Sequence, residues 1–187
     1  AAFLYGASIL GYMLKKHGPW GWASWTMLGW TLATVRYLVG ALGLGHLQRV
    51  LTFPSIMANS MTFLLWYAVI LPGIAFFLPK KRRSLLLKNF LFSWFMFTVH
   101  GVNLPFSLAD YAWQPIPLHE FDLWTGLVYG LLYLSFYLLI LDPVGAHFYF
   151  ILSPRKWWGA VVYLGILLIG ISIYKGCNLA SKSSSSD

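Results

Sequence analysis

Polar and ionisable side chains inside apolar stretches are the first places to look for chemistry in this sequence. Placing such groups in hydrocarbon is expensive, so each one that occurs there is a candidate site residue. Their types suit nucleophilic attack by a hydroxyl, proton transfer by an imidazole, and pairing of opposite charges. The candidates are Thr26, Thr31, Thr34, Arg36, Asn59, His100, Asn103, Asp142 and His147.

A structural role is the alternative for each of these residues. A single buried histidine is most often neutral and hydrogen-bonded to a neighbouring helix, and a threonine in a membrane helix usually donates to the carbonyl four residues back. Arg36 would extend to the interface or pair with Asp142 or Asp110. Haem ligation has only His100 and His147 as a plausible pair, and no sequence repeat supports it. We therefore expect no cofactor.

The composition indicates which solvent surrounds the elements that carry these residues. The chain has 187 residues, is 59% hydrophobic and only 10% charged, and its mean hydropathy is +0.68, which is too apolar for a soluble domain of this length. The net charge of +8 then indicates basic loops on one side of a membrane rather than nucleic-acid binding. Cys177 is the only cysteine, which excludes an intrachain disulfide and a CxxC motif, so no metal is expected.

Six apolar segments predict an all-α, polytopic transmembrane bundle with five clear spans plus one short N-terminal segment. The first segment is too short to cross about 30 Å of hydrocarbon, so we expect either a missing beginning or a tilt into the interface. The chain also starts at Ala1 rather than Met, which favours processing or an incomplete start. One membrane domain is expected over residues 1–180, with a disordered serine-rich tail over 181–187. The segments are residues 2–14, 20–44, 53–78, 85–108, 123–141 and 157–174.

The links between segments alternate in charge. The links that follow segments one, three and five, which are the odd-numbered links, are basic. The link of residues 110–122, which follows segment four, holds three of the five acidic residues. Basic links stay on the cytosolic or matrix side, so both termini would lie on the opposite side. The expected location is the endoplasmic reticulum or another internal membrane, with the mitochondrial inner membrane as an alternative. The basic residues are Lys15, Lys16, Lys80, Lys81, Arg82, Arg83, Arg155 and Lys156.

Three short motifs resemble one family. Segment four reads His100-Gly101-Val102-Asn103-Leu104-Pro105-Phe106-Ser107-Leu108-Ala109-Asp110, which is similar to a pattern of the androgen-induced-protein family: His, three residues, Leu-Pro-Phe, and an acidic residue ten after the His. Trp22-Ala23-Ser24-Trp25-Thr26 resembles its Trp-x-x-x-Thr. The stretch of residues 144–152 is similar to its Gly-x-x-x-Tyr-Pro element, with Phe150 in place of the proline.

The resemblance implies a six-helix membrane hydrolase that cleaves fatty acid esters of hydroxy fatty acids. By position, the nucleophile carries over to Thr26 and the histidine to His100. A threonine hydroxyl needs a base, and a neutral imidazole suits that task. Asn103 follows His100 at i, i+3, so its amide is a candidate oxyanion donor, and Arg36, Asp142 and His147 are site-lining candidates. By segment boundaries, Thr26 would lie about 10 Å deep and His100 about 20 Å deep, a mismatch that the hydrolase hypothesis must resolve.

Two other functions remain open. A non-catalytic subunit of a larger membrane complex would retain the family fold as a scaffold, with the short first segment and the serine tail buried among partners. A small transporter or channel is compatible with Arg36, Asp142 and the prolines, but no internal repeat supports it. The expected partners are the lipid bilayer and other membrane subunits, with no nucleic acid.

Overall fold

The computed structural model of the chain describes residues 1–77, 79, 80, 84, 93–113, 116–146 and 152–183. Within these residues the fold is all-helical, with six helices and no strands, which confirms the predicted fold class. Three of the helices contain a π-turn, a single turn widened by one residue. The helices are α1 Ala2–His17, α2 Trp25–Ala41, α3 Gly45–Leu64 with its π-turn Leu65–Ile70 and continuation Leu71–Phe77, α4 Trp94–Phe97 with π-turn Thr98–Val102 and continuation Asn103–Trp113, α5 Glu120–Phe136 with π-turn Tyr137–Leu141, and α6 Gly159–Ser183.

Three of these helices are long and apolar enough to cross a membrane. They are Gly45–Gly73, Glu120–Leu141 and Gly159–Ser181, with 29, 22 and 23 residues. The number predicted from sequence was five. Helix α2 has only 17 residues, about 26 Å at 1.5 Å per residue, because it begins after a 3₁₀ turn at Pro19–Ala23. The first residues of predicted segment four lie outside the described part of the chain.

Helix α3 is the centre of the bundle. Every residue in positions 52–62 is buried, so this stretch is covered on all sides. Helices α2, α4, α5 and α6 pack around it. Its buried residues include five polar ones, which apolar neighbours cannot satisfy: Thr52, Ser55, Asn59, Ser60 and Thr62.

Each π-turn is followed within three residues by a proline, namely Pro72, Pro105 and Pro143. A proline has no N–H and its ring clashes with the carbonyl four residues back. Those carbonyls belong to Ala68, Gly101 and Leu139, and each lies within the π-turn, so the wider turn relieves the clash. Pro54 lies inside α3 without a π-turn, so a proline favours this geometry but does not by itself impose it.

Several helix ends differ from the sequence prediction. Helix α4 continues to Trp113, so Asp110 lies in a helix rather than at the start of the acidic link. Helix α5 ends at Leu141, the predicted end of segment five, and Gly145 adopts φ 74° in the turn that follows. Helix α6 extends through Ser183, nine residues beyond its predicted end, and residues 184–187 lie outside the described residues.

Candidate active site

Thr26 and His100 lie together in the interior of the bundle. Thr26 Oγ1 is 3.3 Å from His100 Nε2, and the two side chains come from α2 and α4, 74 positions apart in the chain. Both residues are buried, at 5% and 6% exposure. The distance is at the long end for a hydrogen bond, as is common for a nucleophile and its base before substrate binds. The arrangement can therefore transfer a proton from the hydroxyl to the imidazole.

The other ring nitrogen of His100 fixes which tautomer is present. His100 Nδ1 lies 3.1 Å from the carbonyl oxygen of Met96. A carbonyl oxygen can only accept, so Nδ1 carries the proton and donates it. Nε2 then holds the lone pair that faces Thr26. The Met96 carbonyl thus orients the imidazole in the way that a carboxylate does in a catalytic triad.

Trp66 holds the imidazole from a third direction. Its ring stacks on His100 with a centroid separation of 3.7 Å and an interplanar angle of 14°. Trp66 lies in the π-turn of α3, and His100 lies in the π-turn of α4. Because π-turns occur frequently at functional sites, their coincidence with both stacked rings supports a site at this position.

Thr26 occupies the first turn of α2. Trp25 is the first residue of this helix, and the Ser24 hydroxyl caps it by accepting from the Met27 N–H at 3.4 Å. The start of a helix carries a partial positive charge. A negative charge that develops beside Thr26 would therefore be stabilised by the helix on which Thr26 sits.

The predicted mismatch in depth is absent. Helix α4 begins at Trp94, capped by the Ser93 hydroxyl, which accepts from the Met96 N–H at 3.3 Å. His100 is seven residues beyond Ser93, or about 10 Å at 1.5 Å per residue. The sequence estimate of about 20 Å counted from residue 85 instead. The contact of Thr26 Oγ1 with His100 Nε2 at 3.3 Å shows directly that the two groups lie at one level.

A cavity of about 360 Å³ adjoins the pair. This volume lies within the range of small-molecule sites, about 300–1,000 Å³. Most of the lining is apolar and comes from α3, α5 and α6. The lining residues are Trp25, Thr26, Met57, Met61, Thr62, Leu65, Trp66, Ile70, His100, Gly126, Leu127, Gly130, Leu131, Tyr133, Leu134, Leu152, Tyr163, Ile166 and Leu167.

The cavity reaches the outer surface of the bundle between α5 and α6. Two of its lining residues are exposed, Leu131 at 62% and Leu167 at 42%. Both lie on helices long enough to cross a membrane, so this opening faces the region that lipid would cover.

Gly126 and Gly130 line the same side of the cavity on α5. A side chain at Gly126 would collide with the Phe53 ring, 2.5 Å from the position of a Cβ.

The other predicted site residues lie elsewhere. Arg36 is buried and forms an ion pair with the partly exposed Asp110, one of its two predicted partners. The Arg36 Nε donates to Thr52 Oγ1 at 3.2 Å. Asp142 pairs with Arg155 at 3.2 Å instead. Asn103 is buried one turn beyond His100, outside the residues that line the cavity, and its Oδ1 accepts from the Leu104 N–H. His147 lies outside the described residues.

Three features of the site were not predicted: the Met96 carbonyl, the Trp66 ring and the Ser24 cap. Ser24 directly before an apolar helix is a recognisable N-cap signal. The other two had no local signal, since Trp66 reaches His100 only through tertiary packing and Met96 contributes a backbone atom.

No protein-family model, curated protein or solved structure matches this chain. The class that the fold defines is an all-helical bundle whose three long apolar helices are consistent with a membrane protein. The resemblance to the androgen-induced-protein family stays a prediction.

Proposed function

We propose that this chain is an integral membrane hydrolase of fatty-acid esters, with Thr26 as nucleophile and His100 as general base. The observation that carries the proposal is the contact of Thr26 Oγ1 with His100 Nε2 at the wall of an apolar cavity. The family resemblance implies the same two residues as nucleophile and histidine. The proposal includes the location that the family resemblance implies, which is an internal membrane.

The reaction follows from the positions of the two groups. His100 Nε2 takes the Thr26 proton while Oγ1 attacks the ester carbonyl, and the first turn of α2 stabilises the oxyanion. The imidazolium then gives that proton to the leaving alcohol, which departs as the carbonyl re-forms. A water molecule attacks the acyl-threonine, His100 accepts the water's proton and returns it to Thr26, and the fatty acid is released.

The cavity supports a substrate with a long hydrocarbon chain. Its lining is largely apolar, and its opening between Leu131 and Leu167 would let a chain enter sideways from the bilayer. Each buried methylene contributes about 0.8 kcal/mol, so a long acyl chain would bind far better than a short one.

Hydrolysis of a long-chain ester by the purified chain, in detergent or nanodiscs, tests the proposal. We expect Thr26→Ala and His100→Ala to lose at least about 10³-fold in kcat, as expected when a nucleophile or its base is removed. Thr31→Ala is the matched control, because Thr31 donates to the Met27 carbonyl at 2.8 Å and does not line the cavity.

Activity that persists in both Thr26→Ala and His100→Ala would refute the site. A wild-type chain that hydrolyses no ester and co-purifies in a large complex would support the alternative function, a non-catalytic subunit of a membrane assembly.

A further inference from the structure

A column of mostly polar, largely buried residues runs from the Thr26–His100 pair towards the opposite end of α2, α3 and α4. Gly29 and Ala33 are its two apolar positions, and Asp110 is partly exposed. Each helix contributes four positions at the spacing i, i+3, i+7, i+10, which lie on one face of a helix. At 1.5 Å per residue the column is about 15 Å long. The positions are Thr26, Gly29, Ala33 and Arg36 on α2; Thr62, Asn59, Ser55 and Thr52 on α3; and His100, Asn103, Ser107 and Asp110 on α4.

Cross-helix contacts show that the three faces meet. Thr26 meets His100 at one end, and Arg36 meets both Thr52 and Asp110 at the other. Between these ends, Asn59 Nδ2 donates to Ser107 Oγ at 2.7 Å. Gly29 lets α2 approach α3 closely beside Asn59, because a Cβ at Gly29 would lie only 3.2 Å from the Asn59 Oδ1.

Three polar atoms in the middle of this column lack a hydrogen-bond partner among the described residues. They are Ser55 Oγ, Asn59 Oδ1 and Asn103 Nδ2, on side chains each 1% exposed. An unsatisfied buried polar group is destabilising, and buried groups in this situation are usually bonded to internal water. Both donors and acceptors are present, which is the set that a water molecule needs.

The column ends near exposed polar residues. The Asp110 side chain is 33% exposed and lies three residues before the end of α4. The link that follows ends at His119 and α5 begins at Glu120, and both of these residues are exposed. At the site, by contrast, the cavity wall is mostly apolar and opens towards lipid, so it is a poor route for water.

We infer that this column is a water path that delivers the hydrolytic water from the Asp110 end to the acyl-threonine. The inference rests on the proposed function, because it gives the route for the second half of that reaction. Ester enters from the lipid side through the cavity, and water enters along the helices from the other direction. Asn59 is then a positioning residue, which holds the water chain through its Oδ1.

The first test measures water access without using activity. In a Cys177→Ser background, Ser55→Cys places the only thiol in the column, and the infrared S–H band reports its exchange to S–D in D₂O. We expect exchange at least about tenfold faster than for Ile56→Cys, a thiol at a fully buried core position of the same helix, because apolar interiors stay dry. Asn59→Cys is a second probe if Ser55→Cys folds poorly. Equal exchange at column and core positions would overturn the inference.

The second test separates water delivery from acyl transfer. Octanol reaches the site from the lipid side and competes with water for the acyl-enzyme, so the ratio of free acid to octyl ester reports the supply of water. We expect Asn59→Leu to lower this ratio about tenfold, equivalent to about 1.4 kcal/mol. The control Thr34→Val also removes a buried polar group, but this group is a hydroxyl of α2 that donates to the Trp30 carbonyl and faces Gly6. It should leave the ratio unchanged.

An unchanged ratio in Asn59→Leu, with normal Thr26-dependent acyl transfer, would contradict delivery through the column. Absence of any Thr26-dependent acyl transfer would instead refute the proposed function, and the thiol exchange would still decide whether water fills the column.

Discussion

Three threonines of α2 have different surroundings. Thr31 and Thr34 donate to the carbonyl oxygens four residues back, at 2.8 and 2.7 Å, as predicted for membrane helices. Thr26 lies in the first turn, where its Oγ1 meets His100 Nε2. Composition and spacing alone could not distinguish these hydroxyls, because the partner of Thr26 is 74 positions away. Only the family resemblance indicated Thr26 among the three.

The Arg36–Asp110 pair provides a stability prediction at the same scale. Arg36 is only 4% exposed, so removing Asp110 leaves the guanidinium charge unpaired and with little contact with solvent. We expect Asp110→Ala to lower the free energy of unfolding by about 3 kcal/mol, the low end for a broken buried pair, since Asp110 itself is partly exposed. Reversible denaturation in mixed micelles would measure it.

The double variant Arg36→Met/Asp110→Leu is the control for that measurement. It should recover most of the loss, because replacing both charges by apolar groups of similar size removes the unpaired charge. A double variant as unstable as Asp110→Ala would show that the charge pair does not determine the effect.

At the scale of the helices, the prolines were visible in the sequence but their consequence was not. A proline inside an apolar segment favours a kink, as at Pro72, and Asp142-Pro143 after predicted segment five favours a break or a kink. The structure instead has a π-turn before each of Pro72, Pro105 and Pro143, and two of these turns carry Trp66 and His100. The sequence could not show this, because Pro54 has no such turn and tertiary packing decides between the two geometries.

The π-turn of α4 should be necessary for the site. Pro105→Ala restores the missing N–H, so we expect the turn at Thr98–Val102 to revert towards regular α-helix and rotate His100 away from Thr26. Ester hydrolysis should fall by about 10²-fold, the loss that a displacement of about 1 Å can cause, while the free energy of unfolding stays the same or rises. Hydrolysis assays and denaturation on the same preparation would measure both.

Pro143→Ala is the matched control for Pro105→Ala. It alters the π-turn Tyr137–Leu141 of α5, which carries neither Thr26 nor His100, and should retain most activity. If the two variants lose activity equally, the α4 turn has no special role.

At the scale of the whole molecule, hydropathy was sufficient to predict an all-helical bundle, because apolar periodicity and length depend on local sequence. Within the described residues three helices are long and apolar enough to span a membrane, against five predicted spans. Helix α2 starts late, after a 3₁₀ turn, and α1 has only 16 residues. The polar column could in principle have been predicted from the sequence, since its three sets of residues share one spacing. That the three faces meet is visible only in the structure.

The orientation of the chain in the membrane is a prediction from the charges of the links. In intact vesicles of the native membrane, with Cys177→Ser, we expect a thiol at Lys156→Cys to react only with cytosolic or matrix-side reagent. A thiol at Glu120→Cys should react only from the opposite side. Both positions are exposed, so access is limited by the membrane alone. Labelling of both thiols from one side would refute the predicted orientation.

The most direct measurement of the central claim is the mass of the acyl-enzyme. The purified chain is mixed with a long-chain ester, quenched in acid and digested, and the acylated peptide is sequenced by mass spectrometry. The account predicts one acyl group on Thr26, absent in Thr26→Ala and formed at least about 10³-fold more slowly in His100→Ala. An acyl group on another residue, or ester turnover without any acylated threonine, would contradict it.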